Sequence, residues 1–406
     1  MREVRRIVVA GAGFAGLWSA VGAARKRDEL GLGAAEVEIV VVDRNPWHSI
    51  RVRNYETDLG ETRVPLAEVL GSVGVRHIAA ELRDIDFADR RIVCSGADAP
   101  ESLSYDRLVF ALGSRVVRPP IPGLDVHAYD VDTYEAASRL NAHIAALSAA
   151  PPAPGRDTVL VVGGGLTGIE AAAEMPGKLR RADCAAPRVI LADRQPWIGS
   201  DMGEEARAVI DAALASLGIE TRPGISVAAI DGEGATLATG ERIAAKTIVW
   251  CAGMEAHPLT RRFPVRRDRF GRVPVDPFMK VAGMAAEFAA GDVAWFAIDG
   301  ERPCVMSCQH GRPMGRFAGH NVVCDLLGLP MLPLRIDWYT TILDLGPWGA
   351  VCTAGWQRHV VTTGAAAKRT KEIINRQRIY PPRSADPRQL FAAAAPVVQD
   401  PPAFFR

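Results

Sequence analysis

A strand, a glycine turn, a helix and a second strand occur in the same order twice in this chain, and no other feature restricts its fold as much. Arg6-Ile-Val-Val-Ala-Gly-Ala-Gly-Phe-Ala-Gly16 is echoed by Thr158-Val-Leu-Val-Val-Gly-Gly-Gly-Leu-Thr-Gly168. Val37-Glu-Ile-Val-Val-Val-Asp-Arg-Asn-Pro-Trp47 is echoed by Arg188-Val-Ile-Leu-Ala-Asp-Arg-Gln-Pro-Trp197. In each copy a β-branched run meets the glycines, an alanine-rich helix follows, and the next strand ends on an acid, Asp43 or Asp193. One glycine-x-glycine-x-x-glycine run is weak evidence; two of them, each followed by an acid, are two copies of one βαβ unit. The first glycine makes the tight turn, the second admits a pyrophosphate to the backbone, and the third lets the helix lie on the strand. The helix N-terminus then offers free N–H groups to the phosphates, and the acid accepts from a ribose hydroxyl. The acids fall further on than the usual ~20 residues, so both crossovers are long.

Other segments complete the two units. Tyr105 to Ser114 and Ala245 to Gly253 read as return strands, whose small residues Ala111, Gly113 and Gly253 let the backbone approach a bound dinucleotide. Glu287-Phe-Ala-Ala-Gly-Asp-Val293 puts Gly291 and Asp292 at a further strand end. The 406 residues predict two or three domains, 48% apolar residues supply a sizeable core, and a formal net charge of +1 gives no reason to expect a nucleic-acid partner. Seven scattered cysteines, a basic Met1–Arg6 leading straight into a short strand and no long apolar run predict a cytoplasmic protein without structural disulfides.

Together these segments resemble the two-dinucleotide flavoprotein superfamily over residues 5 to 325. The resemblance implies an α/β fold with two Rossmann-like dinucleotide-binding domains and a small C-terminal α+β domain. Residues 1–118 and 265–330 would form the FAD domain, 119–264 the nucleotide domain, and 331–406 the remainder. FAD would lie on Gly11, Gly13, Phe14, Ala15, Gly16, Asp43, Arg44, Ala111 and Gly113, closed by Gly291 and Asp292. NADH would lie on Gly163, Gly165, Gly168, Asp193 and Gly253, with Asp193 repelling the extra phosphate of NADPH. Such chemistry needs no metal and no covalent nucleophile; the protein supplies position and electrostatics.

Within the superfamily the chain is most similar to type II NADH:quinone oxidoreductases. The run from Asp43 to Glu56 preserves that family's Asn45, His48, Tyr55 and Glu56, but carries Arg51 and Arg53 where the family is apolar. Ser307-Cys-Gln-His-Gly-Arg-Pro-Met-Gly315 keeps Gln309 and Gly315 of the family's glutamine motif and has Met314 in place of its second glutamine. By that resemblance Gln309 sits at the flavin edge and donates to a quinone carbonyl, and Glu170 lies near the nicotinamide. His310 could supply a proton near neutral pH; the plainer reading of a lone helix histidine is packing. The absence of cysteine before Cys94 excludes the disulfide reductases with their redox pair in the first helical region. Cys304 and Cys308, four apart as on one helical face, suggest a sulfide:quinone oxidoreductase or simply buried small hydrophobes.

The C-terminal region reads as two strands, Arg335 to Leu343 and Trp348 to Trp356, then a helix from Ala365 to Tyr380 carrying Lys368, Arg369, Lys371, Arg376 and Arg378. That helix is either a solvated basic face or a peripheral contact with the inner face of a membrane, its apolar side being Ile373, Ile374 and Ile379. The tail from Pro381, with six prolines, reads as extended. The combined expectation is hydride transfer from NADH through FAD to a quinone or quinone-like small molecule, in a monomer or homodimer. Three alternatives stay open: a soluble reductase or monooxygenase for another small acceptor, anionic if Arg51 and Arg53 face it; a sulfide-oxidising enzyme; and a non-enzymatic NADH sensor.

Overall fold

The computed structural model describes residues 4–400. Its frame is two five-stranded sheets, parallel throughout. The first runs in the order Glu287–Ala289, Arg107–Phe110, Arg5–Ala10, Val37–Asp43, Arg76–Ala79. The second runs Ala128–Tyr129, Thr247–Trp250, Thr158–Val162, Arg188–Ala192, Ile219–Arg222. In both, the strand entering the glycine turn is central, between the acid-bearing strand and the return strand. Parallel sheets are covered on both faces, and the sequence obliges: Ile7, Val8 and Val9, like Val159, Leu160 and Val161, are wholly buried.

The duplication runs deeper than the motifs reveal. Between edge strand and return strand each unit inserts a three-stranded antiparallel sheet: Glu81–Asp86, Arg91–Ser95 and Ser102–Ser104 in the first, Val227–Asp231, Gly234–Leu237 and Arg242–Ala244 in the second. These strands are short and half-exposed, so their outward positions carry no shared residues.

The helices that follow the glycine turns, Phe14–Glu29 and Leu166–Arg181, differ in what covers them. Phe14–Glu29 lies against the long helix Cys308–Leu327. A Cβ at Gly315 would stand 2.3 Å from the Ala15 carbonyl oxygen, and one at Gly319 would stand 2.2 Å from that of Ser19. Only glycine permits this approach, which outweighs the ordinary cost of glycine inside a helix. Leu166–Arg181 is covered instead by the C-terminal region.

That region holds three antiparallel strands, Thr340–Asp344, Ala350–Ala354 and His359–Thr363, followed by a helix, Gly364–Ile373, that ends in a π turn, Ile374–Arg378. The expected two strands are present but shorter, and the third was not foreseen; its residues alternate exposed and half-exposed, so no apolar run announces it. The tail is not simply extended: Pro387–Ala393 is a helix whose Asp386 Oδ1 accepts from the Arg388 N–H at 2.9 Å, and its Leu390 is buried in the core of the first unit. Asp386-Pro387 is a helix-start signal that the surrounding prolines obscured. The end of the expected tail, 401–406, lies outside the described residues.

Candidate active site

Each glycine turn has the division of labour its spacing predicts. Gly11 and Gly163 adopt φ of +96° and +114°, and a Cβ on either would meet the return-strand backbone at 2.5 and 2.7 Å. Gly16 and Gly168 press against the carbonyls of Gly11 and Gly163. The middle glycines contrast with these: nothing lies within 4 Å of a Cβ placed on Gly13, and only Asp201 Oδ2, at 3.7 Å, approaches one on Gly165. Both cap their helices without any side-chain hydrogen bond to the first turn. Free N–H groups facing open space at a helix N-terminus form a cradle for phosphate, so both units fit a dinucleotide.

The acids are held alike. Asp43 accepts from the N–H of Ala12 at 2.7 Å and of Asn45 at 2.8 Å. Asp193 accepts from Gly164 N–H and, at 2.6 Å, from Gln195 N–H. Each carboxylate therefore ties its strand end to its own glycine loop and keeps lone pairs for a ligand hydroxyl. Burial raises the Asp43 carboxyl above the usual range, against these same N–H donors.

Both cradles open on one cleft of about 1820 Å³, which Arg44, Ala111, Gly113, Gly253, Gly291 and Asp292 also line. Gly291 and Asp292 begin a single 3-10 turn directly after the outer strand of the first sheet. Asp292 Oδ2 accepts from Ser114 Oγ at 2.6 Å and lies 3.9 Å from Arg51 Nη1. Arg51 is also ion-paired to Asp132. Arg53 is buried, with Nη2 2.6 Å from Glu56 Oε2 and Nη1 donating to Tyr380 Oη at 2.6 Å. These two arginines are neutralised within the protein and do not present charge to an anionic acceptor.

Glu170 is not an exposed helix residue. It is buried in the first turns of Leu166–Arg181, lines the cleft, and accepts from Lys371 Nζ at 2.7 Å and from Asp344 N–H at 3.1 Å. Lys368 pairs with Asp344 at 2.6 Å, and Tyr55 Oη donates to Asp344 Oδ2 at 3.0 Å. Burial raises the Glu170 carboxyl, with Lys371 pulling against it. Burial would lower the Lys371 ammonium, but its contact with Glu170 prevails and the ammonium is raised. Lys371 and its partners were not anticipated as site residues; the signal was available in Lys368 and Lys371 falling three apart on one helical face. The basic helix expected to face solvent or lipid does so only in part, through Arg369, Arg376 and Arg378, which are exposed. Its lysines turn inward to carboxylates, Ile379 is buried with Ile50 and Tyr380, and Ile374 packs on them. Of the apolar side only Ile373 stays exposed.

Gln309 sits in the first turn of Cys308–Leu327 and lines the cleft. Its Nε2 is buried and has no acceptor, while its Oε1 accepts weakly from Thr340 Oγ1 at 3.5 Å. His310, one residue on, does not line the cleft. It is 0% exposed, its Nδ1 accepts from Val305 N–H at 2.9 Å, and burial pushes its pKa down to about 4. A neutral ring locked by a backbone donor packs rather than supplies a proton near neutral pH, so the acid role expected of it is withdrawn. Cys304 precedes the helix instead of sharing a face with Cys308, and burial raises both thiols above their ordinary value. Thiols held in the protonated form are poor nucleophiles.

Two glycine-loop cradles opening on a shared cleft, each with a carboxylate at the neighbouring strand end, fit a nucleotide-dependent redox enzyme. Residues 5–315 match the family described as pyridine nucleotide-disulphide oxidoreductase, and the chain belongs to that family. With it goes the enzyme class: the chain is an FAD-dependent NADH oxidoreductase. The seven cysteines are all free. An NADH dehydrogenase-like protein of Mycobacterium tuberculosis is 55% identical over 98% of this chain and 100% of its own length. A demethylphylloquinone reductase of Synechocystis is 28% identical over 85% of this chain and 86% of its own. Among solved structures, NDH2 of Plasmodium falciparum in complex with NADH superposes with a TM-score of 0.77, covering 97% of this chain and 98% of that one at 12% identity, a likeness of fold. No helix among the described residues is long and apolar enough to cross a membrane.

Proposed function

We propose that the enzyme passes the electrons of NADH to a quinone or quinone-like acceptor, forming one NAD⁺ and one hydroquinone with uptake of one proton. The observation that carries this reading is the Gln309 amide: a buried N–H donor without an acceptor, at a helix N-terminus on the cleft wall. A buried donor left unpaired costs about 1–3 kcal/mol, which a ligand carbonyl would recover. The relatives named for quinone chemistry support the same acceptor class.

Bound FAD supplies the two-electron relay between donor and acceptor. The protein's own residues do the rest. The first cradle with Asp43 and Asp292 holds the flavin dinucleotide, and the second with Asp193 holds NADH. Asp193 favours NADH, since a carboxylate facing the ribose repels a 2′-phosphate. Glu170 fixes Lys371, whose ammonium lines the cleft and balances negative charge arising there. Gln309 orients the acceptor carbonyl.

The test is anaerobic consumption of NADH with a panel of soluble quinones, following NADH and hydroquinone together. One hydroquinone per NADH is expected. Flavin that is bleached by NADH but reoxidised by no quinone of the panel would remove the acceptor from this reading and leave the enzyme class standing.

A further inference from the structure

Two buried arginines meet no carboxylate among the described residues. Arg312 and Arg316 lie on the helix Cys308–Leu327 with exposures of 8% and 2%, and among the described residues neither forms an ion pair. Arg312 Nε and Arg316 Nε and Nη2 are buried without an acceptor. Both guanidinium carbons stand over the ring of Trp18, at 5.4 and 5.0 Å, a contact that offsets part of the desolvation but takes up none of the N–H groups. Burial pushes both pKa values down to about 10, which leaves both groups charged at neutral pH. The other buried arginines find acceptors: Arg53 pairs with Glu56, Arg272 with Asp268, and Arg27 donates to the carbonyls of Val37, Val73 and Gly74. A pair of like charges out of water, with unmet planar donors, is costly unless an anion completes it.

Their position says which anion. The two residues line the main cleft and also a neighbouring pocket of about 380 Å³, whose walls include Arg376, Arg378 and Arg383 and, among the described residues, no carboxylate. Gln309, Arg312 and Arg316 follow one another at i, i+3 and i+7, so they form one stripe along the helix. At 1.5 Å per residue the arginines stand about 4–11 Å beyond Gln309, the length of a small aromatic ring system with an acidic substituent.

We propose that Arg312 and Arg316 bind the acidic group of the electron acceptor, so that the acceptor is an anionic quinone. This rests on the proposed quinone chemistry and narrows it to a substrate class. The anionic character that Arg51 and Arg53 suggested in the sequence belongs to this second, unpaired couple. Two guanidinium groups beside one ring suit a carboxylate, sulfonate or phosphate, whose oxygens accept several N–H bonds at once.

The experiment compares reoxidation of the NADH-reduced holoenzyme by a naphthoquinone sulfonate and by the unsubstituted naphthoquinone. The readout is the ratio of the two second-order constants, in wild type, in the double variant Arg312→Gln with Arg316→Gln, and in Arg378→Gln at the rim of the neighbouring pocket. The ratio is expected to fall roughly tenfold to a hundredfold in the double variant, the worth of one charge-assisted hydrogen bond, and less in Arg378→Gln. Should the double variant fail to fold, Arg378→Gln and the salt dependence of the wild-type ratio carry the test, since the ratio should fall as salt rises. A ratio unmoved by substitution and by salt overturns the proposal while leaving quinone reduction intact. No turnover of either quinone instead overturns the quinone reading beneath it. Loss of flavin from the double variant would assign the pair to the cofactor, and arginine-dependent binding to phosphatidylglycerol vesicles without quinone selectivity would assign it to a lipid headgroup; either overturns the proposal.

Discussion

The two βαβ units share strand order, glycine geometry and the way each acid grips its own loop, yet they are buried by different neighbours. The helix of the first unit is sealed by another helix through glycines, with Arg312 and Arg316 of that helix standing over Trp18 and no ion pair between the two helices among the described residues. The helix of the second is sealed by the C-terminal strands through buried charges, Glu170 with Lys371 and Asp344 with Lys368. The repeated part is what any dinucleotide needs; the covering part decides what happens beside it. A seal of close backbone contact suits a cofactor that stays, and a wall of paired, titratable groups suits a site where a nucleotide and an acceptor come and go.

That contrast can be broken by substitution. Gly315→Val should produce the largest effect, loss of folded protein in thermal unfolding, because its branched side chain must enter backbone 2.3 Å away and cannot be accommodated. Lys371→Met leaves Glu170 buried without its cation and should lower stability by about 3–5 kcal/mol, measured by denaturant unfolding of the flavin-loaded enzyme. Recovery of much of that loss in the double variant with Glu170→Gln would show that the pair, not the lysine's packing, carries it.

Acid should act on the first unit's side. Burial holds His48 and His310 neutral, with pKa values of about 4 against 6.5 for the free side chain. Between those values the unfolded chain binds protons that the folded chain does not, so stability rises with pH across this window and is lost as pH falls from 6.5 towards 4. The shift is worth roughly 3 kcal/mol for each ring as an upper figure, readable as a falling melting temperature. A melting temperature constant over that range would contradict the burial of these rings. The smallest effect on stability belongs to the middle glycines. Gly13→Ala and Gly165→Ala should both stay folded, since no backbone atom opposes the added methyl. Gly13→Ala should lose flavin colour, whereas Gly165→Ala should stay yellow and bleach about tenfold or more slowly with NADH.

The sequence was most informative where chemistry repeats. Gly11, Gly16, Asp43 and their counterparts could be read directly because backbone conformation and close approach leave no other residue type. Gln309 was visible only through a family motif, and its unpaired amide became apparent only in three dimensions. Glu170 illustrates the limit: its partner Lys371 is 201 residues away, and a lysine in a basic helix looks like surface until the fold turns it inward. Arg312 and Arg316 were hidden for the same reason. A stripe of charge at helical spacing normally faces water, and nothing local distinguishes one buried between a tryptophan and a cleft. The inserted sheets and the third C-terminal strand escaped notice because half-exposed strands are specified by pairing partners rather than by their own residues.

The central claim is that NADH and the acceptor meet different parts of this wall, and Gln309 tests it most directly. Stopped-flow measurement separates bleaching of the flavin by NADH from its reoxidation by a soluble quinone. Losing one well-placed donor to a developing oxyanion typically costs ~2.7–4 kcal/mol, and less where water reaches the site. In Gln309→Ala, reoxidation should therefore slow roughly tenfold to a hundredfold while bleaching stays within about twofold of wild type. Slowed bleaching with unaltered reoxidation would place Gln309 on the donor side and contradict the account.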